Sequence, residues 1–182
     1  MTQLSSSVND DQLTLLITNS DKIQIADFIL ERFSERYIIP IKNLNKNEKH
    51  GFSIMAISCL MIESLESFKN GWETSKNRSE AAFKSFFNSE PEFSDFRSCS
   101  SDFYKNVRCG ILHQSETTNG WKIRRDGELL KNSNKTINAS RFLIQLKKVL
   151  ISYTETLKTS EWDSADWDNL RRKLRVLISN CG

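Results

Sequence analysis

The chain is poor in residues that break or turn a backbone, with 2 prolines and 6 glycines among 182 residues. A β-sandwich or barrel, turning every roughly 8–12 residues, would need more of both, so the scarcity argues for helices. Histidine is scarce too, with 2 in all, and the four cysteines (Cys59, Cys99, Cys109 and Cys181) are scattered without a CxxC pair. That combination argues against a tetrahedral zinc centre and for free thiols in a reducing compartment. No long apolar run is present: "GFSIMAISCLMI" (residues 51–62) falls short of the roughly 20 residues a membrane span needs. The opening "MTQLSSSVNDD" has no basic region followed by an apolar one, so no secretory signal is read. Neither sign of charge dominates, and a net charge of +3 is too small by itself to mark a nucleic-acid binder. The expectation is a soluble cytoplasmic protein with no membrane segment, metal or cofactor.

What is present is helical periodicity. Residues 1–9 are polar and read as a flexible tail. Asn9 caps "DDQLTLLITN", and Ser20 is expected to cap a second helix carrying Ile23, Ala26, Leu30, Phe33 and Tyr37, which Pro40 ends or kinks. From Phe52 to Trp72 the signal is strongest. Met61, Leu65, Phe68 and Trp72 recur at helical spacing, the first half is apolar almost all round, and such a helix belongs at the centre of a bundle. Glu63 and Glu66 lie on a partly different face. Ser79 is expected to cap "EAAFKSFFN", and Phe96, Cys99, Phe103, Val107 and Ile111 form a further stripe. "WKIRRDGELLK" reads as a β-hairpin turning at Asp126-Gly127 in type I′ geometry. A long helix resumes near Asn138 with Phe142, Leu146, Val149 or Leu150, Tyr153 and Leu157. Ser164 caps the last helix, whose apolar face is Trp167, Leu170, Leu174 and Leu177. The fold expected is all-α, one helical domain over residues 1–182 with a small hairpin inserted at about residues 121–131.

One stretch, "FYKNVRCGILHQSETTNGWKI" (residues 103–123), carries chemistry. Arg108 and His113 suit phosphodiester cleavage without a metal. An imidazole moves protons near neutral pH, and a guanidinium grips phosphate oxygens through two parallel hydrogen bonds. On RNA the substrate's own 2′-hydroxyl serves as nucleophile. Five positions on a straight helix leave the two side chains about 140° apart. Convergence therefore needs a bend or end at Gly110, or a site assembled from two chains. The bland alternative is a solvated Arg and a helix-terminal His. Tyr104 is placed to stack on a base or to pack in the core. Cys109 stands one turn before His113, where an inert half-buried thiol is weighed against a thiolate–imidazole dyad. Gln114 and Glu116 are candidates to touch ribose or orient His113. Lys122 and Arg124, with Arg125, form a basic edge that tracks an RNA backbone or only solubilises a strand.

The spacing "RCGILH", Arg108 to His113, resembles the signature of the HEPN superfamily (higher eukaryotes and prokaryotes nucleotide-binding domains): Arg, four to six residues, then His. The blocks "RYIIPIKNL", "HGFSIMAISCLMIESLESFKNGW", "VRCGILHQSETTNGWKI" and "TINASRFLIQLKKVL" resemble an uncharacterised bacterial HEPN-like family and together cover most of residues 36–157. The resemblance implies a helical bundle of HEPN type, a catalytic pair of Arg108 and His113, and a homodimer with the two motifs facing each other. It also implies metal-independent endoribonuclease activity in a toxin–antitoxin or phage-defence setting, with an antitoxin or defence-system partner. Members that have lost activity bind only. The residue after the Arg is often Asn, Asp or His in the family; here it is Cys109, a weak hydrogen-bonding substitute.

Overall fold

The computed structural model describes residues 1–45 and 47–181. It is mainly helical with a small three-stranded sheet. In chain order the elements are α1 (Asp10–Thr18), α2 (Lys22–Phe33), α3 (Ile39–Lys42), α4 (Gly51–Lys69), α5 (Ser79–Ser89), a 3-10 segment (Pro91–Cys99), α6 (Ser100–Phe103), α7 (Cys109–Gln114), β1 (Lys122–Arg124), β2 (Leu130–Lys131), β3 (Thr136–Asn138), α8 (Ala139–Thr159) and α9 (Ala165–Ser179). A π turn at Ser34–Ile38 carries α2 into α3, and a second at Tyr104–Arg108 carries α6 into α7. Pro40, which has no N–H to offer the Arg36 carbonyl, lies in the first turn of α3 just after the first wide turn, and the helical run continues through it.

The most apolar helix occupies the middle. α4 packs against α5, α8 and α9, and α8 also covers α2. Met55, Met61, Ile62 and Leu65 of α4 are fully buried, as are Phe142, Leu146 and Leu150 of α8. Trp72 follows the end of α4 rather than extending its stripe. Beside this axis lies an aromatic cluster from α5, the 3-10 segment, α6 and α8. Phe87 stacks on Phe96 with ring centroids 5.0 Å apart, and Phe103 lies parallel to Phe142 at 5.8 Å. Each such ring contributes about 1.5–3 kcal/mol by leaving water. Asn9 and Ser164 cap their helices as the sequence indicates, with Asn9 forming a reciprocal capping box with Gln12, and Asn138, near which the long helix is expected to resume, caps α8.

Four local expectations are corrected. Residues 1–9, read as a flexible tail, fold back onto α2: Leu4 is buried, its carbonyl accepts from Arg32 and Arg36, and Glu31 accepts from the hydroxyls of Ser5 and Ser7. Polar composition concealed this because the anchoring groups are hydrogen bonds to charged side chains about 30 residues away. Ser20 is not a cap. It takes the left-handed conformation (φ 54°), and Asp21 caps α2 by accepting from the Gln24 amide. The buried face consequently runs through Ile25, Phe28, Ile29 and Phe33, while Ile23 is exposed. Ser79 does not cap α5; its hydroxyl donates to Glu63 Oε2 at 2.7 Å.

The fourth correction concerns the hairpin. β1 and β2 are not paired: β3 lies between them, parallel to β1 and antiparallel to β2. Only Gly127 of the expected turn has positive φ (79°), whereas a type I′ turn needs it at both central residues. The inserted strand is favoured because it sets three apolar residues in one row, with Ile137 opposite both Ile123 and Leu130 and all three buried. Two side chains hold the arrangement. The Asn138 amide donates to the Gly127 carbonyl at 2.9 Å, and Arg125 donates to the carbonyls of Leu44 and Asn45 and to the Ser140 hydroxyl.

Candidate functional site

The break expected at Gly110 lies one turn earlier. The π turn at Tyr104–Arg108 adds a residue to one turn, which rotates everything after it by about 100° relative to an uninterrupted α-helix. That rotation turns Arg108 toward α4. α7 then runs without interruption through Gly110 and stops at Ser115, whose left-handed backbone (φ 56°) closes it. Gly110 serves close approach instead: a Cβ there would lie 2.5 Å from the Glu116 carbonyl oxygen, so only glycine lets the following loop fold back against the helix.

Arg108 is the centre of a half-buried polar cluster. Its Nε donates to Glu63 Oε1 at 2.7 Å, and its guanidinium lies 5.7 Å from the centre of the Tyr104 ring. Glu63 is itself buried and receives the Ser79 hydroxyl on its other oxygen, so both carboxylate oxygens are occupied. Burial works against the charge on Arg108, but the hydrogen bond and charge of Glu63 outweigh it and hold the guanidinium above its ordinary value. Among the described residues Glu63 is its one carboxylate partner, held through Nε, and the Cys109 thiol lies beside the guanidinium, whose side chain is 15% exposed. Burial, reinforced by the neighbouring Cys109 thiol, pushes the Tyr104 hydroxyl up. Burial likewise raises the Cys59 thiol on the α4 side, so it is held protonated and inert. Beside Arg108 a groove of about 170 Å³ runs between α4 and α7, floored by Cys59 and walled by Leu60, Ile111 and Leu112.

Of the residues expected at the site, Arg108, Tyr104 and Cys109 come together. His113 does not join them within one chain. It is exposed on the last turn of α7, about 140° around the helix from Arg108, and its ring has no hydrogen-bond partner among the described residues. Gln114 is exposed beside it. Glu116 accepts from the Thr117 amide at 2.8 Å and makes no hydrogen bond to His113 among the described residues. Lys122 and Arg124 are exposed on β1, and Arg124 donates to the Ile123 carbonyl. No three His, Cys, Asp or Glu side chains among the described residues lie close enough to hold a metal ion.

Two contributors are not marked by local sequence pattern: Glu63, which lies off the apolar stripe of its helix, and Ser79, whose position suits a helix cap. A signal for Glu63 exists: a carboxylate in a helix largely apolar all round needs a cationic partner, and Arg108 lies alongside another apolar stripe. Glu66, three residues on, is buried with Asn70 and Lys69 as its neighbours, and burial raises its carboxyl.

The loop after His113 is held by a second carboxylate. Asp102 accepts from Asn106 Nδ2 (2.8 Å), Asn119 Nδ2 (3.1 Å), Trp121 Nε1 (2.9 Å) and Lys135 Nζ (3.0 Å). Partial burial alone would raise this carboxyl; the donors from Lys135, Trp121 and Asn119 more than reverse that and hold it below the ordinary range. Against this geometry, no protein-family model, curated protein or solved structure matches the chain.

Proposed function

We propose that the protein is a metal-independent endoribonuclease of HEPN type that acts as a homodimer. The observation that carries this reading is the posture of Arg108: Glu63 grips Nε and Tyr104 backs the guanidinium, while the terminal nitrogens have no carboxylate partner among the described residues and the residue lines a groove. A side chain held this way is preorganised to receive two oxygens of a phosphate, and it adds no reorganisation when charge builds on them. His113, exposed and unpartnered, supplies the proton transfer. The substrate 2′-oxygen bonds to phosphorus as its proton passes to a base, and the phosphorus–O5′ bond breaks as the leaving oxygen takes up a proton. The products are a 2′,3′-cyclic phosphate and a 5′-hydroxyl. Because Arg108 and His113 diverge within one chain, the reading places His113 of one protomer beside Arg108 of its partner. The exposed Leu60 and Leu112 flanking the groove give a second copy an apolar surface to cover.

A second reading is favoured by that same divergence and by Cys109 after the Arg: a catalytically silent module that binds nucleic acid, a nucleotide or a protein through this face. Digestion of total and transfer RNA in excess EDTA separates the two. The wild-type protein is expected to cleave and leave 2′,3′-cyclic phosphate ends, while His113→Ala and Arg108→Ala each lose about 100-fold or more. Equal cleavage by all three proteins would mean contamination, and none by any would leave the binding module. A monomer in solution would remove the composite site.

A further inference from the structure

A larger cleft, about 540 Å³, opens where the first turn of α4 meets β1. Its floor is the half-buried ring of Phe52 and the buried side chain of Ile123. Lys49 and Arg124 stand exposed on its rim, and neither has a carboxylate partner among the described residues. The other charges of the cleft are already engaged. Arg125 is tied to the carbonyls of Leu44, Asn45 and Glu48, and the Glu48 carboxylate accepts from His50 at 2.5 Å. Gly51 permits the close approach: a Cβ there would lie 2.9 Å from Ile123 Cγ2, so the Ile123 side chain at the floor of the cleft would have to shift.

Two cations without carboxylate partners among the described residues, over an apolar floor that includes an aromatic ring, fit an anion joined to a planar ring, and the volume is that of a ligand much larger than a phosphate alone. The cleft lies on the helix that also holds Arg108. Glu63 is 12 residues beyond Gly51, a rise of about 18 Å and about 120° around the axis of α4, so a strand joining the two sites runs along the helix and part of the way around it. We infer that the cleft holds a nucleotide of single-stranded RNA flanking the scissile phosphate, with its phosphate on Lys49 and Arg124 and its base against Phe52. This inference rests on the ribonuclease reading.

The test is fluorescence anisotropy of a labelled single-stranded oligoribonucleotide against the full chain carrying His113→Ala, which does not consume the probe. Adding Lys49→Glu and Arg124→Glu is expected to weaken binding about tenfold or more and to lower the slope of log affinity against log salt by about 2. Arg175→Glu, an equivalent reversal on α9, is expected to leave the slope within 1 unit of the parent, by the same roughly one-contact rule. Both changed cleft side chains are exposed, and unchanged thermal melting verifies that the fold is kept. Equal loss in the Arg175→Glu protein, equal binding with and without the cleft reversals, or no binding by the parent would each overturn the cleft. RNA binding that the cleft reversals weaken, in a protein whose wild type never cleaves, would overturn the ribonuclease reading and support the cleft. Cleavage untouched by the reversals would do the opposite.

Discussion

Two carboxylates flank the same run of helix and do different work. Glu63 is buried, takes two donors and fixes one guanidinium; Asp102 is a third exposed, takes four donors and fixes a loop and two strands. The buried one sits in a low-dielectric setting, where losing a partner strands a charge. The other shares its load among several donors that water can replace. Function, on the reading above, depends on the first for the posture of Arg108 and on the second for the position of the chain after His113.

The sharpest way to break the comparison is Glu63→Ala. It leaves the half-buried Arg108 without its counter-charge and is expected to lower unfolding free energy by about 1–3 kcal/mol, read from denaturant titration. Glu63→Gln keeps the size and an acceptor and is expected to lose clearly less. If Ala and Gln cost the same, the ion pair is not what stabilises this junction. Gly110→Ala tests the loop from its other side. The new methyl meets the Glu116 carbonyl and must push the loop outward against the grip of Asp102, at about 1–3 kcal/mol. Faster exchange is expected at the Thr118 amide, which donates to the Asn106 carbonyl at 2.9 Å, and unchanged exchange there would contradict the close packing.

The smallest effect is a titration. The Asp102 carboxyl is depressed in the folded state, so its contribution is present above the unfolded value of about 3.9 and is lost as pH falls through the folded value. Wild-type protein should lose stability below about pH 4 that Asp102→Asn does not lose, by no more than about 1 kcal/mol because water screens a side chain one-third exposed. Parallel acid melting curves for the two proteins would show that the donors around Asp102 add no net charge stabilisation.

Sequence alone determined the parts that depend on neighbours along the chain. Asn9, Asn138 and Ser164 mark helix starts because a cap needs only its own next turn, and the apolar period places α4, α8 and α9 because one face of a helix must leave water. Arg108 could be singled out for its chemistry, though its partner could not be named. What only the tertiary structure decided involves groups far apart in sequence. Glu63 meets Arg108 across 45 residues, β3 displaces the expected hairpin because burying Ile137 between Ile123 and Leu130 outweighs the local turn preference, and the polar N-terminus is held by Arg32 and Arg36. The π turn that aims Arg108 at Glu63 belongs to the same class, since a register shift within a helix is set by what each side of it must pack against, and no local pattern records that.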